Sequence, residues 1–310
     1  MHYRKLGNTN MSVSILGFGA SSLGGVFHPL DEEEGIEAVI SAIELGINFI
    51  DVSPYYGHLK AEIVLGKALK QIKRSRFYLS TKVGRYGRNG VSHWDYTRKT
   101  VTESVFESMD RLNTDYLDLI NVHDIEFADL EQVCQETLPA LLELKELGIV
   151  KHLGISNLNL RHFVYVIDHV PKEMVSAILS FCHYTLNDDS LVDYLDYLEA
   201  KGVGVINASP YSMGLLTKRG TPDWHPAPAA LKRLARKAVA FCESKGVPIE
   251  QLAVSFAVNN PRIATTLFST TRAENVRKTI EYAESECDME LLRDVRAIFE
   301  PGFRDSWVNS

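Results

Sequence analysis

The sequence is poor in most of the features that would commit it to a specialised class. Its four cysteines, Cys134, Cys182, Cys242 and Cys287, are scattered through 310 residues and form no CxxC pair. A disulfide framework and a structural metal site are therefore not expected, and a reducing, cytoplasmic setting is. No apolar run is long enough to cross a bilayer, since the best stretch, 252–271, is broken by Asn259, Asn260, Pro261 and Arg262. The opening MHYRKLGNTN has no apolar core, so no secretory leader is expected. Positive charge is not in excess: 33 lysines and arginines face 40 aspartates and glutamates, leaving −7. That balance gives no electrostatic reason for nucleic acid or an anionic membrane as partner. Low-complexity segments and linkers are absent as well, and 1–310 reads as a single domain.

What is present is alternation between short β-branched runs and longer amphipathic segments. A hairpin is expected first, over 3–6 and 12–14, around the turn Gly7-Asn8-Thr9-Asn10. Eight strands follow, at 15–20, 48–52, 78–82, 117–123, 152–156, 177–181, 204–208 and 264–268. The intervening segments carry helical spacing, as in Ile36, Val39, Ile40, Ile43 and in Leu130, Val133, Leu138, Leu141, Leu144. Asp31 with Glu34 has the form of a capping box. The predicted fold class is α/β, a single (β/α)8 barrel with an N-terminal β-hairpin and additional C-terminal helices. A doubly wound open sheet is the rival. It would bring a G-x-G-x-x-G loop, and in GFGASSLGG (Gly17 to Gly25) Ser22 stands where the third glycine belongs.

In a parallel barrel, chemistry collects at the C-terminal strand ends. Asp51 ends INFID, Lys82 ends YLSTK and His123 ends LDLINVH, while Tyr56 follows Asp51 in DVSPYYG. Strand parity puts Ile47, Phe49 and Asp51 on one face, and Leu119, Asn121 and His123 on one face. Singly, each has a plainer reading: a helix cap, a solvated lysine, a structural histidine. At successive strand ends of one barrel they make a candidate site. A free phenol ionises near pH ~10, and an adjacent ammonium lowers that value. Asp51 would hold Lys82 charged, His123 would orient a substrate oxygen, and Tyr56 would serve as general acid or base.

These residues, in GINFIDVSPYYG, YLSTKVG, YLDLINVHD, KHLGISNL and SPYSMGLL, resemble the signature blocks of the aldo-keto reductases from the hairpin to about Glu300. HDIEF (His123 to Phe127) and PDWHPAP (Pro222 to Pro228) are similar to the branch that oxidises L-galactose. The resemblance implies Asp51, Tyr56, Lys82 and His123 as the catalytic set, and NAD-dependent oxidation of L-galactose at C1 to a galactonolactone. It also implies a small-molecule sugar as partner and a monomer or weak homodimer. Alternatives remain within the family, namely an aldehyde reductase or another aldose or pyridoxal dehydrogenase. Outside that chemistry stand a lysine-dependent aldolase using Lys82 and a nucleotide-binding channel subunit.

The resemblance further places the dinucleotide against Gly19, Ala20, Ser156, Asn157, Ser180, Ser209, Gly214, Leu215, Ser269, Thr270, Thr271, Arg272 and Asn275. Members using the phosphorylated dinucleotide often carry a basic residue where this chain has Ser269 and Asn275, so NAD is favoured over NADP. Ala208 stands where many members stack an aromatic ring on the nicotinamide, which leaves Tyr184 and Tyr211 as candidates for that contact. Lys278 and Thr279 replace the usual Glu-Asn pair near adenine. Substrate contacts are expected from Phe27, Arg85, Tyr86, Trp94 and Asp124, on loops converging over the site.

Overall fold

The β-branched and aromatic runs become short strands because their stiff side chains suit a pleated surface buried on both faces. The computed structural model describes residues 1–26, 28–88 and 91–307. In chain order the strands are β1 (Tyr3–Lys5), β2 (Ser12–Ser14), β3 (Leu16–Gly19), β4 (Phe49–Asp51), β5 (Tyr78–Val83), β6 (Arg85–Arg88), β7 (Val91–Trp94), β8 (Leu117–Val122), β9 (Val150–Asn157), β10 (Ala177–Phe181), β11 (Gly204–Ala208) and β12 (Thr265–Phe268). Eight of them, β3, β4, β5, β8, β9, β10, β11 and β12, close into a parallel barrel in that order, with β12 pairing back onto β3. β1 and β2 form the expected antiparallel hairpin.

Alternation along the strands sorts the apolar residues into two layers. Phe49, Leu119, Ala177, Leu179, Ile206, Ala208 and Leu267 fill the barrel, and Leu6, Met11 and Val13 of the hairpin segment join them. The hairpin turn seats against the start of β11: a Cβ on Gly7 would lie 2.3 Å from the Gly204 amide nitrogen. A larger cluster between barrel and helices holds the outward residues. Ile47 belongs to that outer cluster and not to the interior, because it precedes β4 and the alternation begins only at Phe49.

Towards the strand C-termini the interior turns polar, with Asp51, Ser80, Lys82 and Asn121 all buried. Room for Asn121 comes from a glycine on the facing strand. A Cβ on Gly154 would lie 2.3 Å from Asn121 Oδ1 and 2.9 Å from the Ala177 carbonyl oxygen. Gly154→Ala is therefore expected to destabilise the protein by about 1–3 kcal/mol, the usual cost of overpacking. A denaturant titration checks it, and an unchanged midpoint would contradict the packing.

The helical layer departs from its sequence reading in two places. The segment read as one helix from Leu130 runs as helix Leu130–Gln132, a π-helical stretch Val133–Thr137, and helix Leu138–Glu146. Pro139 brings no N–H to the preceding turn, which favours that irregular register. Asp31 does cap helix Glu32–Glu44, accepting from the Glu33 and Glu34 amides, but Glu34 faces Arg272 Nε at 3.8 Å instead of completing a capping box. The C-terminal helices are present, with Met289–Phe299 packed on Ala229–Ser244. Among the described residues no helix is long and apolar enough to cross a membrane, and no group of histidine, cysteine and carboxylate side chains is arranged to hold a metal ion.

The hairpin β6–β7 has no counterpart in the sequence reading. Its strands carry charged and polar residues in place of an apolar alternation. The signal that marks it is the Asn-Gly pair at 89–90 between two short runs.

Candidate active site

The four strand-end residues meet at the C-terminal mouth of the barrel. β4 and β5 lie side by side, so Asp51 and Lys82 emerge on neighbouring strands. The Lys82 ammonium donates to Asp51 Oδ1 and, at 2.9 Å, to the Val52 carbonyl. It also lies 4.9 Å from the centre of the Tyr56 ring. The second carboxylate oxygen of Asp51 accepts from Ser80 Oγ at 2.8 Å, and Asn121 Nδ2 donates to Ser80 Oγ at 3.0 Å. Burial acts to lower the Lys82 pKa, but Asp51 and then Tyr56 carry it above the ordinary value, so the amine stays protonated.

Tyr56 behaves differently from the sequence expectation. Burial raises its pKa and outweighs the lowering by Lys82, with Asp51 and Asp124 adding to the rise. In the ligand-free protein the phenol therefore keeps its proton at neutral pH, as a proton donor requires.

His123 stands edge-on to Tyr56, ring centres 5.8 Å apart at 88°. Its Nδ1 is 3.0 Å from Ser53 Oγ, which also accepts the Tyr55 amide at 3.1 Å. The Tyr96 hydroxyl donates to the His123 carbonyl at 2.8 Å and to that of Asp124 at 3.0 Å, fixing the turn in which Asp124 adopts φ 47°. Burial, then Lys82 and Arg85, push the His123 pKa well below its ordinary value, so the imidazole is neutral.

One face of the hairpin β6–β7 lies over this group. Arg85 and Trp94 are register partners; Arg85 Nη1 pairs with Asp124 Oδ2 at 2.5 Å and its Nη2 donates to the Tyr55 hydroxyl at 3.0 Å. The guanidinium lies 3.9 Å from the Tyr55 ring centre, 5.0 Å from Phe127 and 5.6 Å from Trp94. Arg85, Trp94 and Asp124 are thus brought together at the mouth. Tyr86 is not brought to them: it pairs with His93 on the opposite face and its hydroxyl accepts the Gly84 amide. Phe27 lies outside the described residues.

The residues expected to face the dinucleotide surround the same mouth. Gly19 pairs with Asp51 across β3 and β4, and Ala20 opens the following turn. Ser269 ties the loop after β12 to the loop after β3, accepting the Ser22 amide at 2.9 Å. Thr270 Oγ1 accepts from the Arg272 amide and from Asn275 Nδ2, both at 3.2 Å, and Thr271 is buried beside it. Ser209 and Gly214 have φ of 60° and 100° in the loop after β11, with Leu215 buried behind them. Ser156 Oγ accepts the Asp124 amide at 3.3 Å, and Asn157 holds the Glu126 amide and the Asn159 carbonyl, both at 2.9 Å. In the ligand-free protein both side chains therefore tie β9 to the loop after β8. Ser180 Oγ is buried with no hydrogen-bond partner among the described residues.

Two observations test whether an anionic dinucleotide fits. Helix Ala273–Glu284 begins behind Thr270 and Thr271 with a cap residue, Arg272, that supplies no side-chain acceptor to its first amides. Such an uncapped N-terminus suits phosphate oxygens. Ser180 offers an unpaired hydroxyl. The residues fit the group. The aromatic candidates for stacking do not: Tyr184 stacks on Phe256 at 4.6 Å in the outer layer, and Tyr211 reaches Thr279 Oγ1 at 3.4 Å. Each ring is committed to a helix packed outside the barrel. Cys182 is inert, burial pushing its thiol up to about 12.

Sequence reasoning missed Ser53, Ser80, Tyr55 and Phe127, which hold the named residues in place. Ser80 was within reach of the parity argument, two residues before Lys82 as Asn121 is before His123.

Comparison with known proteins agrees with this fold. The chain is 46% identical to L-galactose dehydrogenase of Arabidopsis thaliana over 98% of its length and 96% of that protein. It is 34% identical to D-arabinose 1-dehydrogenase of Saccharomyces cerevisiae over 80% of its length and 76% of that protein. A solved aldo-keto reductase of Bacillus halodurans, in its holo form, superimposes with a TM-score of 0.80 at 26% identity, covering 100% of this chain and 99% of the other. The aldo/keto reductase family profile matches residues 15–300. The chain belongs to the aldo/keto reductase family, and it is a nicotinamide-dinucleotide-dependent oxidoreductase.

Proposed function

We propose that this protein oxidises L-galactose at C1 to the galactonolactone, with NAD preferred over NADP and residues 1–310 acting as one unit. The observation that carries the reading is the buried Lys82, with Asp51 on one side and the Tyr56 phenol on the other, beside a neutral His123. Two relatives named for oxidising sugars support the substrate class.

The chain's own residues divide the work. Tyr56 takes the proton of the C1 hydroxyl, and Lys82 stabilises the phenolate that must exist for it to do so. Asp51, held by Ser80, keeps Lys82 charged and in place. His123 holds the C1 oxygen in line, and Arg85, Trp94 and Asp124 hold the rest of the ring. Gly19, Ala20, Ser156, Asn157, Ser180, Ser209, Gly214, Leu215, Ser269, Thr270, Thr271, Arg272 and Asn275 form the dinucleotide side of the cleft. An oxidised nicotinamide supplies the hydride acceptor, which no side chain can. Neither Ser269 nor Asn275 is basic, which supports NAD.

Asp124 tests the sugar rim. Asparagine tolerates its positive φ, so Asp124→Asn keeps the backbone while removing the charge that pairs with Arg85. Loss of a charged hydrogen bond to a sugar hydroxyl is expected to lower kcat/KM for L-galactose about 10- to 100-fold. Turnover of a simple aliphatic aldehyde in the reverse direction, which feels Asp124 only through His123 and Tyr56, should fall less. Equal losses on both substrates would remove Asp124 from the rim.

The reading as a whole is tested by a panel of aldoses, L-fucose and D-arabinose included, assayed with each oxidised dinucleotide. The highest kcat/KM with L-galactose and NAD is expected. Comparable turnover of simple aldehydes with the phosphorylated cofactor would favour a general aldehyde reductase.

A further inference from the structure

Ser53 sits behind His123 and is fully buried. Its hydroxyl has one hydrogen and two lone pairs. The Tyr55 amide, 3.1 Å away, takes one lone pair. The other polar neighbour is His123 Nδ1, at 3.0 Å. A neutral imidazole carries a single N–H, and two assignments are possible. With the proton on Nδ1, the ring would donate to Ser53, and the serine hydrogen would have no other acceptor among the hydrogen bonds of the described residues. With Nδ1 bare, Ser53 donates to it and every group is satisfied. Burial makes the first assignment costly.

A second observation, on the opposite edge of the ring, agrees. His123 Nε2 lies 3.6 Å from Asp124 Oδ2, the same oxygen that Arg85 holds. An N–H at Nε2 turns its positive end towards that carboxylate. A lone pair there would meet it with like sign.

We propose that Ser53 is a positioning residue that locks His123 in the Nε2–H tautomer, so that the imidazole presents a hydrogen-bond donor to the substrate oxygen. The consequence for the reaction, which rests on the sugar oxidation proposed above, is a strict division of roles. His123 binds the C1 oxygen through its lone pair and cannot accept the hydroxyl proton, so that proton passes to Tyr56. The serine sets this arrangement without touching substrate.

The tautomer itself needs neither sugar nor dinucleotide to be read. Long-range proton–nitrogen correlation spectra of the ligand-free, 15N-histidine-labelled protein report which ring nitrogen is protonated, with His123→Gln assigning the signal among the ten histidines. The wild type is expected to show Nε2–H alone. Ser53→Ala should shift His123 towards a mixture, and Ser53→Thr, which keeps the hydroxyl, should restore the wild-type pattern. Turnover follows the same order: kcat on L-galactose falls about tenfold or more in Ser53→Ala, the effect of losing an oriented hydrogen bond to the reacting oxygen, with the dinucleotide KM unchanged. A wild-type spectrum showing Nδ1–H, a Ser53→Ala spectrum identical to wild type, or an unchanged kcat in Ser53→Ala would overturn the proposal. Failure of every form to oxidise any sugar would refute the function proposed above while the spectra still decide the tautomer.

Discussion

Tyr56→Phe is expected to lower sugar oxidation by about 10²- to 10⁴-fold, the usual worth of a positioned acid or base. The phenyl ring keeps its place over the Lys82 ammonium, 4.9 Å away in the native protein, so folding and dinucleotide affinity should stay close to wild type. Steady-state kinetics with a nucleotide-binding titration separate the two effects. Near-normal turnover would remove Tyr56 from the proton-transfer role, and a parallel loss of nucleotide binding would recast it as a packing residue.

Lys82→Met is expected to damage stability and chemistry together. It leaves the Asp51 carboxylate buried, with Ser80 as its one remaining side-chain partner among the described residues. Breaking a buried ion pair by removing one partner costs roughly 3–5 kcal/mol. It also removes the cation that lowers the Tyr56 pKa, so the phenolate needed for oxidation becomes rarer still. Adding Asp51→Asn removes the orphaned charge. The double variant should regain much of the lost stability in a denaturant titration and none of the turnover. Recovery of activity with stability would mean that the pair is structural and takes no part in the reaction.

The barrel was legible because its strands are short, β-branched and regularly spaced, and each of the eight lies within a residue or two of its reading. Asp51, Lys82 and His123 were legible for a related reason: an ionisable residue ending an apolar strand stands out against its own periodicity. The hairpin over the mouth was not, since a solvated cover needs no apolar alternation and leaves only an Asn-Gly pair as its mark. Ser53 escaped for a different reason. A serine in a loop has many uses, and only the direction of its hydroxyl towards Nδ1 distinguishes this one. The balance of forces on Tyr56 was equally hidden, because the sequence shows the lysine that lowers the phenol's pKa and not the burial that raises it.

That balance fixes the pH behaviour. A buried phenol with a raised pKa holds its proton at neutral pH, so oxidation, which needs the phenolate, should accelerate as pH rises towards that pKa, while reduction, which needs the phenol, should not. The pH dependence of kcat/KM for L-galactose oxidation, measured side by side for wild type and Tyr56→Phe, reads this ionisation at its source. A limb that climbs on the alkaline side in wild type and disappears in the variant is the predicted result. The same alkaline limb persisting without the Tyr56 hydroxyl would contradict the account.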